Sequence, residues 1–200
     1  MIGRLQGTVI DKQAPDLLLD VQGVGYELLV SLSTFFAIPA VGESVTLHTH
    51  FVVREDVQQL YGFTERSERT LFRHLIKVNG VGPKMALGVL SGMSANEFAA
   101  CVHSNDVDTL VRLPGVGKKT AERLVIEMRD RVGSIEASVS STNVHAAQPD
   151  LTQEAESALI ALGYKPQDAA KMISRVAGKE TLGVEQLIRS ALKNMVSKSR

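Results

Sequence analysis

The chain has 200 residues, 44% apolar and 22% charged, with 22 Lys/Arg balancing 22 Asp/Glu. That is the composition of an ordinary globular protein of one or two domains, with no apolar run near the roughly 20 residues of a membrane span. One cysteine, Cys101, excludes an intrachain disulfide and a multi-cysteine zinc site. The opening MIGRLQG lacks the apolar core of a secretory signal, so a reducing, cytoplasmic setting is expected. Zero net charge hides an uneven split: residues 1–63 carry 3 Lys/Arg against 7 Asp/Glu, and residues 64–132 carry 11 against 8.

Residues 1–63 read as β. Short aliphatic and β-branched runs (IGRLQGTVI, DLLLDV, VGYELLV, SVTLHTHFVV, VQQLYGF) are broken at Ala14-Pro15, Gln22-Gly23, residues 39–42 and Arg54-Glu55-Asp56. Five short strands and one helical turn near Ser33–Ala37 predict a small closed barrel of the OB type. Glu55 and Asp56 fall at the tip of its last hairpin, where a solvated turn is the plain expectation.

Residues 64–132 read as helical and contain a repeat. LIKVNGVGPKMALGVL at 75–90 returns as LVRLPGVGKKTAERLV at 110–125, a shift of 35 residues. Each copy runs from an apolar helical stripe into Gly-Val-Gly and then into a second amphipathic helix. Helices are predicted over Glu65–Val78, Pro83–Leu90, Ala95–Val102, Asp106–Leu113 and Lys118–Val132. Ser94 and Glu97 form a capping box for the third, and Asp106 opens the fourth, where an acid suits the helix dipole.

The two turns have the chemistry of a phosphate grip. Glycine lets backbone come close to a ligand, and successive N–H groups in such a turn converge on an anion. The helices that follow begin with N–H groups lacking intrahelical partners, at the positive end of the dipole. Pro83 suits a first helical position. Lys84, Lys118 and Lys119 in the first turns oppose that dipole, an arrangement a bound phosphate would reverse. The spacing resembles the helix-hairpin-helix motif at every fixed position of both copies. That motif holds nucleic-acid backbone, and backbone contacts position a protein without reading sequence.

Residues 133–150 (GSIEASVSSTNVHAAQPD) have no Lys or Arg and read as a flexible linker. Residues 151–200 predict three helices, near Thr152–Leu162, Pro166–Ala177 and Leu182–Val196. Leu187, Ile188, Ala191, Leu192 and Met195 stripe the third, and the Leu162-Gly163-Tyr164 loop resembles that of ubiquitin-associated three-helix domains. The fold class is therefore multi-domain α+β: an OB-like barrel, a tandem helix-hairpin-helix domain and a three-helix tail.

In that order, with MIGRL, GVGYE, THFVVRED, LYGF, NGVGPK, LPGVGKKTAERL and ALGYKP at their places, the whole chain resembles the RuvA family of Holliday-junction-recognition subunits. The resemblance implies a homotetramer on an open four-way junction, with one or two tetramers per junction. It implies duplex-backbone contacts from Asn79, Gly80, Gly82, Lys84, Gly115, Gly117, Lys118, Lys119 and Arg123. It implies an acidic pin, Glu55 and Asp56, at the crossover. The tail is implied to dock the hexameric ATPase RuvB, with Leu162, Tyr164, Leu187 and Ile188 as candidate contacts, and the resolvase RuvC is a further implied partner. No catalytic residue, cofactor, metal or membrane is implied, and the cell is bacterial.

Other chemistries fit less well. Gly115-Val-Gly-Lys-Lys-Thr is not a phosphate loop of the ATPase kind, because Arg112 replaces the first glycine and Lys119 the Ser/Thr. A DNA glycosylase would need a pocket-forming continuation after the second hairpin, where a serine-rich stretch follows. His48 and His50 share a strand face but lack a third metal ligand nearby, so exposed strand residues are expected. Cys101 beside His103 reads as packing and surface. A single-strand binder would need a basic barrel with stacking aromatics, and this barrel is acidic.

Overall fold

The computed structural model describes residues 1–55, 57–133, 151–176 and 182–196, with side chains to residue 194 in the last segment. Asp56 and all but the first residue of the expected linker lie outside the described residues. The chain divides into two compact units, residues 1–143 and 144–200.

The first unit begins with β1 (Arg4–Gln13), β2 (Asp16–Val21), β3 (Val24–Val30), β4 (Ser44–Val53) and β5 (Gln58–Phe63). They close in the order β1-β2-β3-β5-β4, antiparallel except for β3 with β5. A helix, α1 (Leu32–Ala37), links β3 to β4 and is capped by Ser31, whose hydroxyl accepts from the Thr34 N–H. This is the expected OB-type barrel. Alternation makes it close: Leu17, Leu19, Leu28, Val30 and Leu47 point inward and are almost wholly buried. Gln22 and Gly23 both have positive φ, +54° and +86°, as a two-residue hairpin turn requires. Gly7 is needed for a different reason, since a Cβ there would collide with the carbonyl oxygen of Asp20 on the paired strand.

The helices follow as α2 (Arg66–Leu75), α3 (Pro83–Gly92), α4 (Ala95–Ser104), α5 (Val107–Val111) and α6 (Lys118–Met128), with a 3-10 turn at Arg129–Arg131. The expected Ser94/Glu97 capping box is present, and Asp106 caps α5 by accepting from the Thr109 N–H at 3.0 Å. α2 and α5 stop three residues or so short of the sequence expectation, because tight turns rather than further helix lead into each Gly-Val-Gly.

Barrel and helices share one seam. Phe72 of α2 packs its ring against Tyr61, Phe63 and His50, with centroids 4.9, 5.1 and 5.6 Å away. One turn earlier on α2, the Thr34 hydroxyl of α1 donates to Glu68 at 2.8 Å. The Ser33 hydroxyl donates to the Leu90 carbonyl at 2.8 Å, and Ser91 accepts from the Leu32 N–H at 3.0 Å. α1 therefore clamps the barrel onto α2 and α3, which sets the helical hairpins at a defined angle to the β4–β5 turn.

The second unit contains α7 (Leu151–Ala161), α8 (Pro166–Ser174) and α9 (Val184–Val196) around Ala155, Leu159, Ala169, Met172, Ile173, Leu187 and Ala191. It is the expected three-helix tail.

Candidate nucleic-acid interface

The two Gly-Val-Gly turns are built alike, hydrogen bond by hydrogen bond. In the first, Val78 N–H donates to Leu75 and Val81 N–H to Val78, at 2.9 and 3.0 Å; in the second, Leu113 donates to Leu110 and Val116 to Leu113, at 3.2 and 3.1 Å. Gly80 and Gly115 take φ of +86° and +80°. Gly82 and Gly117 then cap α3 and α6 with φ/ψ of −87°/169° and −85°/166°. Their carbonyls accept the first helical bonds, from Ala86 and Ala121 at 3.0 and 2.9 Å. The apolar repeat positions Leu75, Val78, Val81, Ala86 and Leu90, with their counterparts Leu110, Leu113, Val116, Ala121 and Val125, are all buried. Burial of the valine between the glycines turns both glycines and the backbone around them outward.

The result is two exposed loops offering unpaired donors. Among the described residues, the N–H groups of Gly80, Gly82, Lys84, Gly115, Gly117, Lys118 and Lys119 have no acceptor within the fold. Neither helix has a side-chain cap. Lys84, Lys118 and Lys119 are exposed in the first turns beside these donors. A phosphate oxygen placed there would meet backbone donors, a helix dipole and an ammonium together.

The four glycines differ in why they are glycine. Gly80 and Gly115 need it for positive φ. Gly82 and Gly117 have ordinary φ, and a Cβ on either would meet nothing within 4 Å. The fold leaves room for a side chain there, so the empty space is available to a ligand.

Arg123, expected at the interface, has a second task. Its Nη1 donates to the Asn79 carbonyl at 2.9 Å and lies 3.5 Å from where a Gly80 Cβ would be. It ties the helix of the second hairpin to the tip of the first. Gly88 of α3 also approaches the Pro114 carbonyl, at 3.4 Å from a built Cβ. The two hairpins therefore form one rigid pair, a coupling that no local motif signals.

Glu55 sits in the turn between β4 and β5, closed by the Arg54 N–H donating to the Val57 carbonyl at 2.8 Å. Glu55 is exposed, as are Val53 and Val57 on either side. Its expected companion Asp56 lies outside the described residues.

The tail requires one correction. Leu187, read as a candidate docking residue, is wholly buried in the three-helix core, and Ile188 packs partly against it. In a stripe along a short helix, the residues facing two neighbours must fill the core. Tyr164 is also partly buried against that core, whereas Leu162 is 65% exposed. Met195 has no described side chain.

His48 and His50 are likewise not free strand residues. His50 accepts from Arg73 Nε at 3.3 Å and lies against Phe72. Burial first, then Arg73 and Arg69, holds it below the ordinary imidazole range; burial, then Arg69, Arg66 and Arg4, does so for His48. Arginine neighbours repel a metal ion as they repel a proton. Cys101 is pushed up by burial and then by Asp106 and Glu97, the opposite of an activated thiolate.

A five-stranded OB-type barrel clamped to paired helix-hairpin-helix turns defines a tandem helix-hairpin-helix protein with its two Gly-Val-Gly loops outward. Family models agree in the same order: the RuvA N-terminal domain over residues 1–62, the SAM-like helix-hairpin-helix tandem over 72–130 and the RuvA C-terminal domain over 150–196. The chain is 60% identical to a protein of Thioalkalivibrio sulfidiphilus, covering 96% of this chain and 98% of that one. It is 54% identical to one of Marinobacter nauticus (98% and 99%) and 52% to one of Aeromonas salmonicida (98% and 100%). Each of those is named Holliday junction branch migration complex subunit RuvA. This chain belongs to the RuvA family.

Proposed function

We propose that this chain recognises four-way junction DNA by shape and holds it open for branch migration, as a non-catalytic subunit. The observation that carries this is the pair of matching hairpins with unpaired backbone donors, two lysine-bearing helix starts and glycines at 82 and 117 that the fold itself does not require. Asn79, Gly80, Gly82, Lys84, Gly115, Gly117, Lys118 and Lys119 hold duplex-arm phosphates, with Arg123 setting the two hairpins at a fixed separation. Such contacts are indifferent to base sequence.

Four subunits around the crossover bring their β4–β5 turns together, so that Glu55 and Asp56 of each crowd the centre. Unit charges about 4 Å apart repel by about 1 kcal/mol even in bulk water. Carboxylates there oppose tight seating of the crossover phosphates and keep the junction open. The domains divide as 1–63, 64–132, the linker 133–150 and the tail 151–200. The tail docks RuvB, the ATPase that moves the DNA, through the exposed Leu162 rather than through Leu187; RuvC is a further partner, and the setting is the bacterial cytoplasm.

A competition gel shift tests this, setting a four-way junction against linear duplex and single strand of the same sequences at several salt concentrations. The expected result is a junction preference that persists as salt rises and ignores arm sequence. Equal binding to duplex would return the hairpins to general DNA holding.

A further inference from the structure

The apolar stripes that line the barrel run on past its core at one end. On β4 the lining positions are Leu47, Thr49, Phe51 and Val53. The first two are wholly buried, Phe51 is half-buried and Val53 is 59% exposed. On β3 the lining positions are Val30, Leu28, Tyr26 and Val24, and burial falls in the same way, to 54% exposure at Val24. Tyr26 and Phe51 still pack on the barrel core, and the two valines lie beyond it.

Register puts these overhangs together. β3 is parallel to β5, with Leu28 opposite Leu60, so Val24 lies toward the end where β5 begins. β4 finishes at that end too, with Val53 opposite Gln58, and Val57 in the connecting turn is a third exposed valine. The opposite end of the barrel is covered, because Ile38, just after α1, is buried in its core. One end is therefore a mouth, with two half-buried aromatic rings inside, an apolar rim and the Glu55 turn beside it. Turn tips ordinarily carry polar residues, and valines there leave apolar surface in water that a ligand could cover.

Charge narrows the ligand. Among the described residues Glu55 has no ion-pair partner. The cation next to it, Arg54, alternates to the other face of β4, with Val52 and His50, which pack toward α2. There it is near enough to Tyr61 to oppose the upward push that burial gives that hydroxyl. A phosphate at the mouth would meet a carboxylate with no counter-charge. A second copy of this chain is repelled in the same way, because it brings the same acidic turn. An unpaired nucleobase fits: its face rests on apolar or aromatic surface, and the amino groups of adenine and cytosine donate to a carboxylate. With no cation at the mouth to hold a strand, only DNA already gripped by the hairpins can deliver a base there.

We propose that the barrel mouth receives unpaired bases at the crossover, with Val24, Val53 and Val57 under the base faces and Glu55 accepting from base amino groups. The proposal rests on the junction reading given above. The test binds the full chain to an immobile four-way junction carrying 2-aminopurine, an adenine analogue quenched by stacking, beside the crossover. Wild type is expected to raise its emission severalfold, while the same analogue well inside an arm stays quenched. Val53→Ser with Val57→Ser is expected to bind the junction within about twofold of wild type, since phosphate contacts dominate affinity, and to lose more than half of the emission rise. Circular dichroism checks folding and sedimentation equilibrium checks assembly. If the double variant does not fold, Val53→Thr and Val57→Thr, which keep the branched shape at exposed positions, are each expected to lose part of the rise. A folded variant with the full rise overturns the proposal, as does one whose affinity falls in step with its emission or whose mass drops. Wild type that prefers the junction without a rise at the crossover also overturns it and leaves the junction reading standing. Wild type with no junction preference would sink that reading itself.

Discussion

The Arg123 guanidinium donates to the carbonyl of Asn79 at 2.9 Å, across 44 residues of sequence, and thereby ties the second hairpin's helix to the Gly-Val-Gly turn of the first. Arg123→Gln is expected to weaken junction binding by about tenfold, or ~1.4 kcal/mol, while leaving the salt dependence almost unchanged. Lys84→Ala is expected to lower the steepness of log K against log salt by about 0.9, because one phosphate is no longer neutralised. Titrations at four or five salt concentrations separate the two. Equal slope changes would make Arg123 a direct phosphate ligand.

The glycines offer a sharper contrast. Gly80→Ala and Gly115→Ala place a Cβ at positive φ, at an expected cost of about 1–2 kcal/mol in folding stability. Gly82→Ala and Gly117→Ala meet no atom of the fold, and the weaker helix cap alone costs up to about 1 kcal/mol. Urea unfolding and gel shifts together should show Gly82→Ala losing far more in DNA binding than in stability. A variant that binds normally would mean that phosphate does not approach there.

Glu68, 9% exposed beneath Thr34, is held above the ordinary carboxylate range, first by burial and then, against the Thr34 hydrogen bond, by Glu65. A raised native value means that folding favours the protonated form. Its contribution is present below the unfolded value of about 4.3 and is lost as pH rises through the native one. Glu68→Gln keeps an acceptor for Thr34 and removes the charge, so it should stabilise the protein near pH 7 and gain little near pH 4. His48 and His50 act oppositely: their lowered values make stability present above about 6.5 and lost as pH falls through the native values. Unfolding midpoints from pH 4 to 8 resolve the two slopes.

In the tail, Leu187→Ala and Leu162→Ala should part company. Removing the wholly buried Leu187 side chain is expected to cost about 2–5 kcal/mol and to unfold a core this small. Leu162→Ala should leave helicity and melting unchanged and weaken capture of RuvB in a pull-down. If Leu162→Ala binds RuvB as wild type does, the docking face lies elsewhere on the tail.

Much of this protein was legible as a string because its signals are local. The Gly-Val-Gly repeat, the Ser94/Glu97 box and the alternating strands each act within one or two turns of chain, so residue type at a given spacing suffices. The tertiary structure alone decided the contacts between distant residues: the Arg123–Asn79 tie, the Thr34–Glu68 clamp and the arginines that keep His50 from being a free strand residue. Leu187 shows the limit within a single helix. Periodicity marked its stripe as apolar, and only the packing of three helices determined which stripe residues face the core and which face solvent.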